Sequence, residues 1–239
     1  MKKLFILTAV LALAACQSAQ QTTSPDVRTF GMYGDVKEVQ YSVVAVDEDS
    51  PADVDPWEFG GTVEFTFDQQ GRVTLDDRGT EFVYGEDGSF VSEWATLVRD
   101  EAGRLVCYDN TSDEMLDSEE FDVYNFFKMD FTYDAKGRPA TQELDGWEWS
   151  NTFTFSYDGD KVYPSAATFE GGYEAFVEEG TITYVYKAFD AKGNWTEREV
   201  TKVTNAYEEP WEDDMEPEVE TTTNVERQYR QIRYWSDKE

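Results

Sequence analysis

Carboxylates are the most numerous of the side chains able to do chemistry in this chain. It holds 51 Asp and Glu and no His. Without imidazole, Ser-His-Asp and Cys-His nucleophile systems are excluded, as are His-ligated zinc and iron sites. Cys16 and Cys107 are the only cysteines, too few to hold an iron–sulfur cluster. The glycines stand in turn-like contexts, and no Gly-rich phosphate loop of the Walker type occurs. A glycosidase needs only two carboxylates at a set separation, but among so many acids a pair in the sequence carries no information. Calcium takes oxygen ligands, yet there is no Asp-x-Asp-x-Asp-Gly loop, and Trp211-Glu212-Asp213-Asp214 reads as a solvated charge run. The expectation is a non-catalytic protein with no catalytic, cofactor-binding or metal-binding residues.

Aromatic side chains offer a different chemistry. Seven tryptophans are present. Exposed indole rings stack on sugars and anchor interfaces, whereas most tryptophans in a β protein serve as core or cross-strand pairs. Trp147-Glu148-Trp149 puts two rings on one face if the segment is a strand. Trp147, Trp149 and Trp211 are the candidate ligand-binding residues.

Cys16 closes a different kind of motif. Lys2 and Lys3 precede an apolar run from Leu4 to Leu13, followed by Ala14-Ala15-Cys16. This is the layout of an export signal, 1–15. A bilayer-spanning helix needs about twenty apolar residues, so the run is too short for a permanent span. Leu13-Ala14-Ala15-Cys16 resembles the lipobox of bacterial lipoproteins; the alternative is an ordinary secretory signal that ends near a cysteine. The resemblance implies a diacylglyceryl group on the Cys16 sulfur, cleavage before it, and acylation of the new N-terminus, palmitate-type chains holding the protein to a membrane. Two or more acyl chains anchor stably. Gln17, where that family carries Asp for inner-membrane retention, implies the outer membrane, periplasmic or surface side. Residues 16–29 are expected to be the lipidated cysteine and its tether; the charge-free stretch Gln17 to Pro25 spans roughly 17 Å as a flexible coil.

The remaining 30–239 reads as one domain, long enough for a sizeable core. A net charge of −31 excludes nucleic acid and anionic lipid surfaces as partners, since both need a basic footprint. High aromatic content excludes a disordered acidic chain. With Cys107 alone in the mature part, no internal disulfide forms. Its apolar neighbours in Leu105-Val106-Cys107-Tyr108 read as a buried position.

One phrase organises this domain. It appears as Phe67-Asp68-Gln69-Gln70-Gly71-Arg72, Arg99-Asp100-Glu101-Ala102-Gly103-Arg104, Tyr133-Asp134-Ala135-Lys136-Gly137-Arg138 and Phe189-Asp190-Ala191-Lys192-Gly193-Asn194. Looser copies start at Tyr84 and Tyr157. Asp at the first position bonds backbone N–H groups ahead of it, and Gly takes the positive φ that closes a type I turn with a bulge. The flanks alternate as half-buried strands do: Phe127, Met129, Phe131 and Tyr133 against Lys128, Asp130 and Thr132. Tyr184 and Tyr186 fall out of phase with Phe189, which calls for a bulge. Acidic tracts at 109–122 and 206–222, the latter with Pro210 and Pro217, read as loops.

The repeated phrase resembles the YD repeats of the RHS family. The chain is also similar to small lipoproteins that open with Gly34-Asp35-Val36-Lys37-Glu38-Val39-Gln40-Tyr41 and close with Gly193-Asn194-Trp195-Thr196 and a basic strand from Glu226 to Tyr234. RHS proteins wrap long arrays around a toxin. The few, unevenly spaced copies here depart from that, so the resemblance implies strand architecture and not toxin delivery. The expected fold is all-β, an antiparallel meander of repeated hairpins forming a twisted or curled sheet. The expected role is a membrane-anchored binding or scaffold module of the cell envelope, with a glycan- or peptide-binding module and a carboxylate-based hydrolase as alternatives. Its partners would be the membrane, through lipid on Cys16, and an envelope protein or glycan, the charge favouring cationic ones.

Overall fold

A computed structural model describes residues 23–45, 63–76, 80–112, 126–208 and 217–237. Cys16 and Trp211 lie outside them. The fold is all-β: a short helix α1 (Pro25–Thr29) and twelve strands, β1 (Val36–Ala45), β2 (Val63–Phe67), β3 (Val73–Leu75), β4 (Thr96–Arg99), β5 (Leu105–Asp109), β6 (Phe127–Tyr133), β7 (Pro139–Gly146), β8 (Trp149–Ser156), β9 (Ala166–Tyr173), β10 (Phe176–Phe189), β11 (Trp195–Glu208) and β12 (Glu220–Tyr234). One antiparallel sheet contains them in the order β3-β2-β1-β12-β11-β10-β9-β8-β7-β6-β5-β4. The last strand is seated between β1 and β11. The sheet curls but does not close, with β3 and β4 as its edges. Among the described residues no helix is long and apolar enough to cross a membrane.

The repeated turns form as their chemistry dictates. In the first three full copies the Gly N–H donates to the Asp carbonyl at 2.9 Å, and in the fourth at 3.1 Å. Gly71, Gly103, Gly137 and Gly193 have φ between 73° and 87°, a region that L side chains rarely enter. Oδ1 of each Asp accepts the two backbone N–H groups at i+2 and i+4, as Asp134 does from Lys136 at 2.8 Å and Arg138 at 3.0 Å. Oδ2 accepts the Arg Nε at 2.7 or 2.8 Å. Each of these arginines then reaches the neighbouring unit: the guanidiniums of Arg72, Arg104 and Arg138 lie over the rings of Tyr84, Tyr133 and Tyr157 at 4.1–4.3 Å. In the fourth copy buried Asn194 replaces Arg and bonds both the N–H and the carbonyl of Tyr33.

Alternation then decides the faces. Phe127, Met129 and Phe131 of β6 are buried, with Phe65, Phe67, Val73 and Leu105 from other strands in the same core. Tyr184 and Tyr186 keep one phase, and the pairing of β10 with β11 slips around Lys187. That bulge accounts for Phe189 falling out of step.

Helix α1 fills the turn end of the curled sheet. Its N-cap Ser24 accepts the Val27 N–H at 3.2 Å and donates to the Gly71 carbonyl at 2.5 Å. Buried Asp26 accepts the Val73 N–H at 2.9 Å and pairs with Arg99. Arg28 donates to the Lys136 carbonyl, and Thr29 bonds the Tyr133 hydroxyl. The helix therefore touches three separate hairpins. This corrects the expected tether at 16–29: residues 25–29 belong to the folded domain, because Val27 and Asp26 have buried partners waiting for them. The acidic tracts are also trimmed. Asp109 ends β5, and Ala206 pairs with Glu220 and Asn205 with Thr221 in the β11–β12 ladder. Glu208 and Glu220 sit exposed at strand ends, where water solvates the charge and pairing survives. The parts at 113–122 and 209–216 lie outside the described residues.

Candidate ligand-binding cavity

Strands β1, β2, β6, β7, β8, β10, β11 and β12 all contribute to the lining of a cavity of about 200 Å³. Its lining is mostly aromatic and aliphatic, with Phe155, Tyr184, Trp195 and Tyr41 among the residues around it. Strand register delivers these side chains. Tyr41 pairs with Arg230 across β1–β12, Arg198 with Gln228 across β11–β12, and Tyr186 with Arg198 across β10–β11. Gln228, Arg230, Ile232 and Tyr234 share a phase, so the apolar ends of that row carry its polar members inward.

Two cations thereby face the interior. Arg230 is 3% exposed. Its Nε donates to the Trp195 carbonyl and its Nη1 to the Tyr41 hydroxyl at 3.4 Å. Nη2 is buried without a hydrogen-bond partner. The guanidinium carbon lies 4.0 Å from the centroid of the Trp195 ring. Arg198 stands over the same ring at 4.2 Å and over Tyr184 at 4.5 Å, and its Nε donates to Gln228 Oε1 at 2.6 Å. Among the described residues no carboxylate comes within ion-pairing distance of Arg198 or Arg230. Burial lowers the Arg230 pKa from its ordinary value, and the Arg198 charge works in the same direction; an arginine nonetheless stays protonated in a protein. Burial raises the hydroxyls of Tyr184, Tyr186 and Tyr157, which keeps them neutral donors. The Tyr157 hydroxyl donates to the Pro139 carbonyl at 2.8 Å. Such a lining offers positive charge, π faces and apolar surface.

The carboxylates do not gather here. Those of the first three full turn copies are bound to their own arginines, and Asp190 of the fourth accepts the Tyr234 hydroxyl. Among the described residues no group of three or more His, Cys, Asp or Glu is placed to hold a metal ion.

The candidate tryptophans are not brought together. Trp147 and Glu148 form the tight turn between β7 and β8, with Glu148 at φ 62°. That left-handed residue breaks the strand parity assumed for Trp147 and Trp149. Trp147 is 42% exposed and stands edge-on to Phe126. Trp149 is half-buried against the main core, its ring so close to Gly146 that a Cβ there would lie 2.0 Å from it. Next to Trp147, exposed Tyr173 and Phe176 flank the β9–β10 turn, and the Tyr173 hydroxyl donates to Glu148 Oε2 at 3.0 Å. Cys107 is half-buried rather than fully buried, beside Asp130 on the adjacent strand. Sequence reasoning missed Arg198 and Arg230. The available signal was parity: Arg230 falls in phase with Ile232 and Tyr234, and Arg198 with Val200.

In comparison with known proteins, the chain matches no family model and no curated sequence.

Proposed function

We propose that this protein is a lipid-anchored, non-catalytic binding module of the cell envelope, held through Cys16 at the outer membrane, whose ligand seats in the curled sheet. One observation carries the reading: two arginines with no carboxylate at ion-pairing distance among the described residues, Arg198 and Arg230, line an aromatic cavity in a chain of net charge −31. Burying a charge without a counterion is costly. A protein rich in surplus carboxylates that supplies none at this position keeps it for something else. The lipobox at Leu13-Ala14-Ala15-Cys16 supports the anchor. The carboxylates bound in turns support a non-catalytic role.

The test has two parts. Cys16→Ser should release the protein from the membrane fraction or leave it uncleaved; a cleaved mutant that still sediments with membranes refutes the anchor. Native mass spectrometry of the full chain extracted from membranes should show a small molecule that is lost on denaturation. Turnover of any substrate, abolished by a single Asp→Asn or Glu→Gln change, would overturn the non-catalytic reading.

A second reading is favoured by the ledge of Trp147, Tyr173 and Phe176, three exposed rings on adjoining turns. Such a surface suits a glycan or an extended peptide. Trp147→Ala would abolish binding there and leave the cavity ligand in place.

A further inference from the structure

We infer that the ledge of Trp147, Tyr173 and Phe176 docks an extended basic segment of another protein, with its Lys or Arg side chains over the rings and against Glu148 and Glu174. This rests on the reading that the three rings form a binding surface.

Two turns build the ledge. The Glu174 N–H donates to the Glu148 carbonyl at 3.2 Å, and the Tyr173 hydroxyl donates to the Glu148 carboxylate, so the β7–β8 and β9–β10 turns stand side by side. Trp147, Tyr173 and Phe176 are 42–50% exposed there. Large rings of this kind, grouped in water, are the usual anchors of an interface. Glu148 and Glu174 are exposed beside them, at φ 62° and 55°. Among the described residues no other residue except glycine has a positive φ. Gly or Asn fills such a turn position with less strain. Glutamate at both brings two like charges together next to the rings, and a cation relieves both.

Charge selects the occupant. From Pro139 to Tyr186 the only Lys or Arg is Lys161, which stands at the opposite end of the sheet with the Arg138 turn. In sequence, the segments that join strands at the ledge end, 46–62, 113–125 and 209–216, contain Asp and Glu and no Lys or Arg. A cation over an aromatic face and beside a carboxylate gains from both. A neutral glycan would stack on the rings but draw nothing from this field, and an anionic one would be repelled. Shape selects an extended chain. The two turns are two strand spacings apart, about 10 Å, a span that about three extended residues cross. The surface is open, whereas small-molecule sites are concave and enclose most of their ligand. Placement favours a partner away from the anchoring membrane. The chain enters the fold at Thr23 beside α1, at the Asp-x-x-Gly end, and the eight residues of β7 set the ledge about 25 Å beyond it.

The experiment uses the full chain in phosphatidylcholine vesicles, titrated by calorimetry with three probes: a hexapeptide of alternating arginine and alanine, its counterpart with glutamine for arginine, and cellohexaose. The arginine peptide should bind at least tenfold more tightly than the glutamine peptide. Trp147→Ala and Glu148→Gln should each weaken it at least threefold, while near-ultraviolet circular dichroism stays native. Glu86→Gln, an exposed acid near the other end, should leave it unchanged. If Trp147→Ala does not fold, Tyr173→Ala, at a more exposed ring, supplies the same comparison. Equal loss in Glu86→Gln and Glu148→Gln, or binding that survives removal of a ring, overturns the docking site, because the attraction is then diffuse. Equal binding of the two peptides, or cellohexaose binding lost in Trp147→Ala without a preference for arginine, overturns the basic occupant but leaves the ledge as a binding surface. If no probe binds the folded wild-type chain, the ledge reading falls together with the inference.

Discussion

Arg138 lies over Tyr157 with its guanidinium carbon 4.1 Å from the ring centroid, joining the last full Asp-x-x-Gly-Arg turn to the looser copy that follows it. Its Nε is held by Asp134, and its Nη1 donates to the carbonyls of Gly159 at 2.8 Å and Lys161 at 3.0 Å. The motif is thus a device for stacking hairpins. Asp and Gly shape one turn, and Arg clamps the next.

Removing that clamp has a graded cost. Arg138 is 8% exposed, and Arg138→Ala leaves two carbonyls and a carboxylate without their donor. The loss should be on the order of 3 kcal/mol. Arg138→Lys should restore less than half of it, because an ammonium cannot fork between partners. Arg72→Ala, at a more solvent-exposed side chain, should cost about 1 kcal/mol. Urea unfolding followed by circular dichroism measures all three; equal losses at Arg138 and Arg72 would contradict the clamp.

The helix plug depends on one carboxylate. Asp26→Ala takes the acceptor from the buried Val73 N–H and the counter-ion from the half-buried Arg99 guanidinium, which keeps the Gly103 carbonyl and the Tyr84 hydroxyl; the loss should be on the order of 3 kcal/mol. Ser24→Ala removes only a cap and should cost about 1 kcal/mol. Equilibrium denaturation should rank the two in that order. A neutral Asp26→Ala would mean that the turn end holds without α1.

Acid should act in two stages. From about pH 7 to pH 5, stability should hold or rise, because protonating surface acids relieves the self-repulsion of a strongly negative chain. Below that range the turns give way. The Arg104 side chain holds the Asp100 carboxyl below its usual value. Burial pushes Asp134 up, but the Arg138 backbone N–H and guanidinium outweigh it and bring it below the usual value as well. A carboxylate with a depressed folded pKa stabilises fully above its unfolded value of 3.8, and that contribution is lost as pH falls through the folded value. Thermal midpoints measured down to about pH 2.5 should drop steeply, and less steeply in Asp100→Asn/Asp134→Asn. Identical slopes would remove these turns from the acid response.

Cys107 should be a slow thiol. Burial pushes its pKa up to about 11, and a hydrogen bond to Asp130 adds to the effect. Thiolate is the reactive form. At about pH 8 the Cys16→Ser chain should therefore react with a disulfide reagent about two orders of magnitude more slowly than a free cysteine. Asp130→Asn should speed the reaction. A rate equal to that of free cysteine would show a thiol unaffected by either neighbour.

The local features were legible because local physics decides them. Asp68, Asp100, Asp134 and Asp190 with their glycines announce tight turns, since Asx hydrogen bonds and a positive φ need only a few residues of context. Alternation around Phe127, Met129 and Phe131 announces a one-sided strand. The phase slip between Tyr186 and Phe189 announces the bulge at Lys187.

Tertiary structure decided the rest. Parity places Arg230 and Arg198 on the inward side of their strands, but it does not say what lies across from them. That depended on β12 inserting between β1 and β11, a pairing between residues far apart in the chain, such as Tyr41 and Arg230. The same applies to α1, whose polar Asp26 reads as tether until distant hairpins converge on the helix. Trp147 and Trp149 show the converse: a single left-handed residue, Glu148, reverses a parity that the spacing alone implies. Turn chemistry and alternation are set by neighbours in the chain. A cavity exists only where strands distant in sequence enclose a space, and its charge follows from which inward side chains the long-range register leaves without a partner.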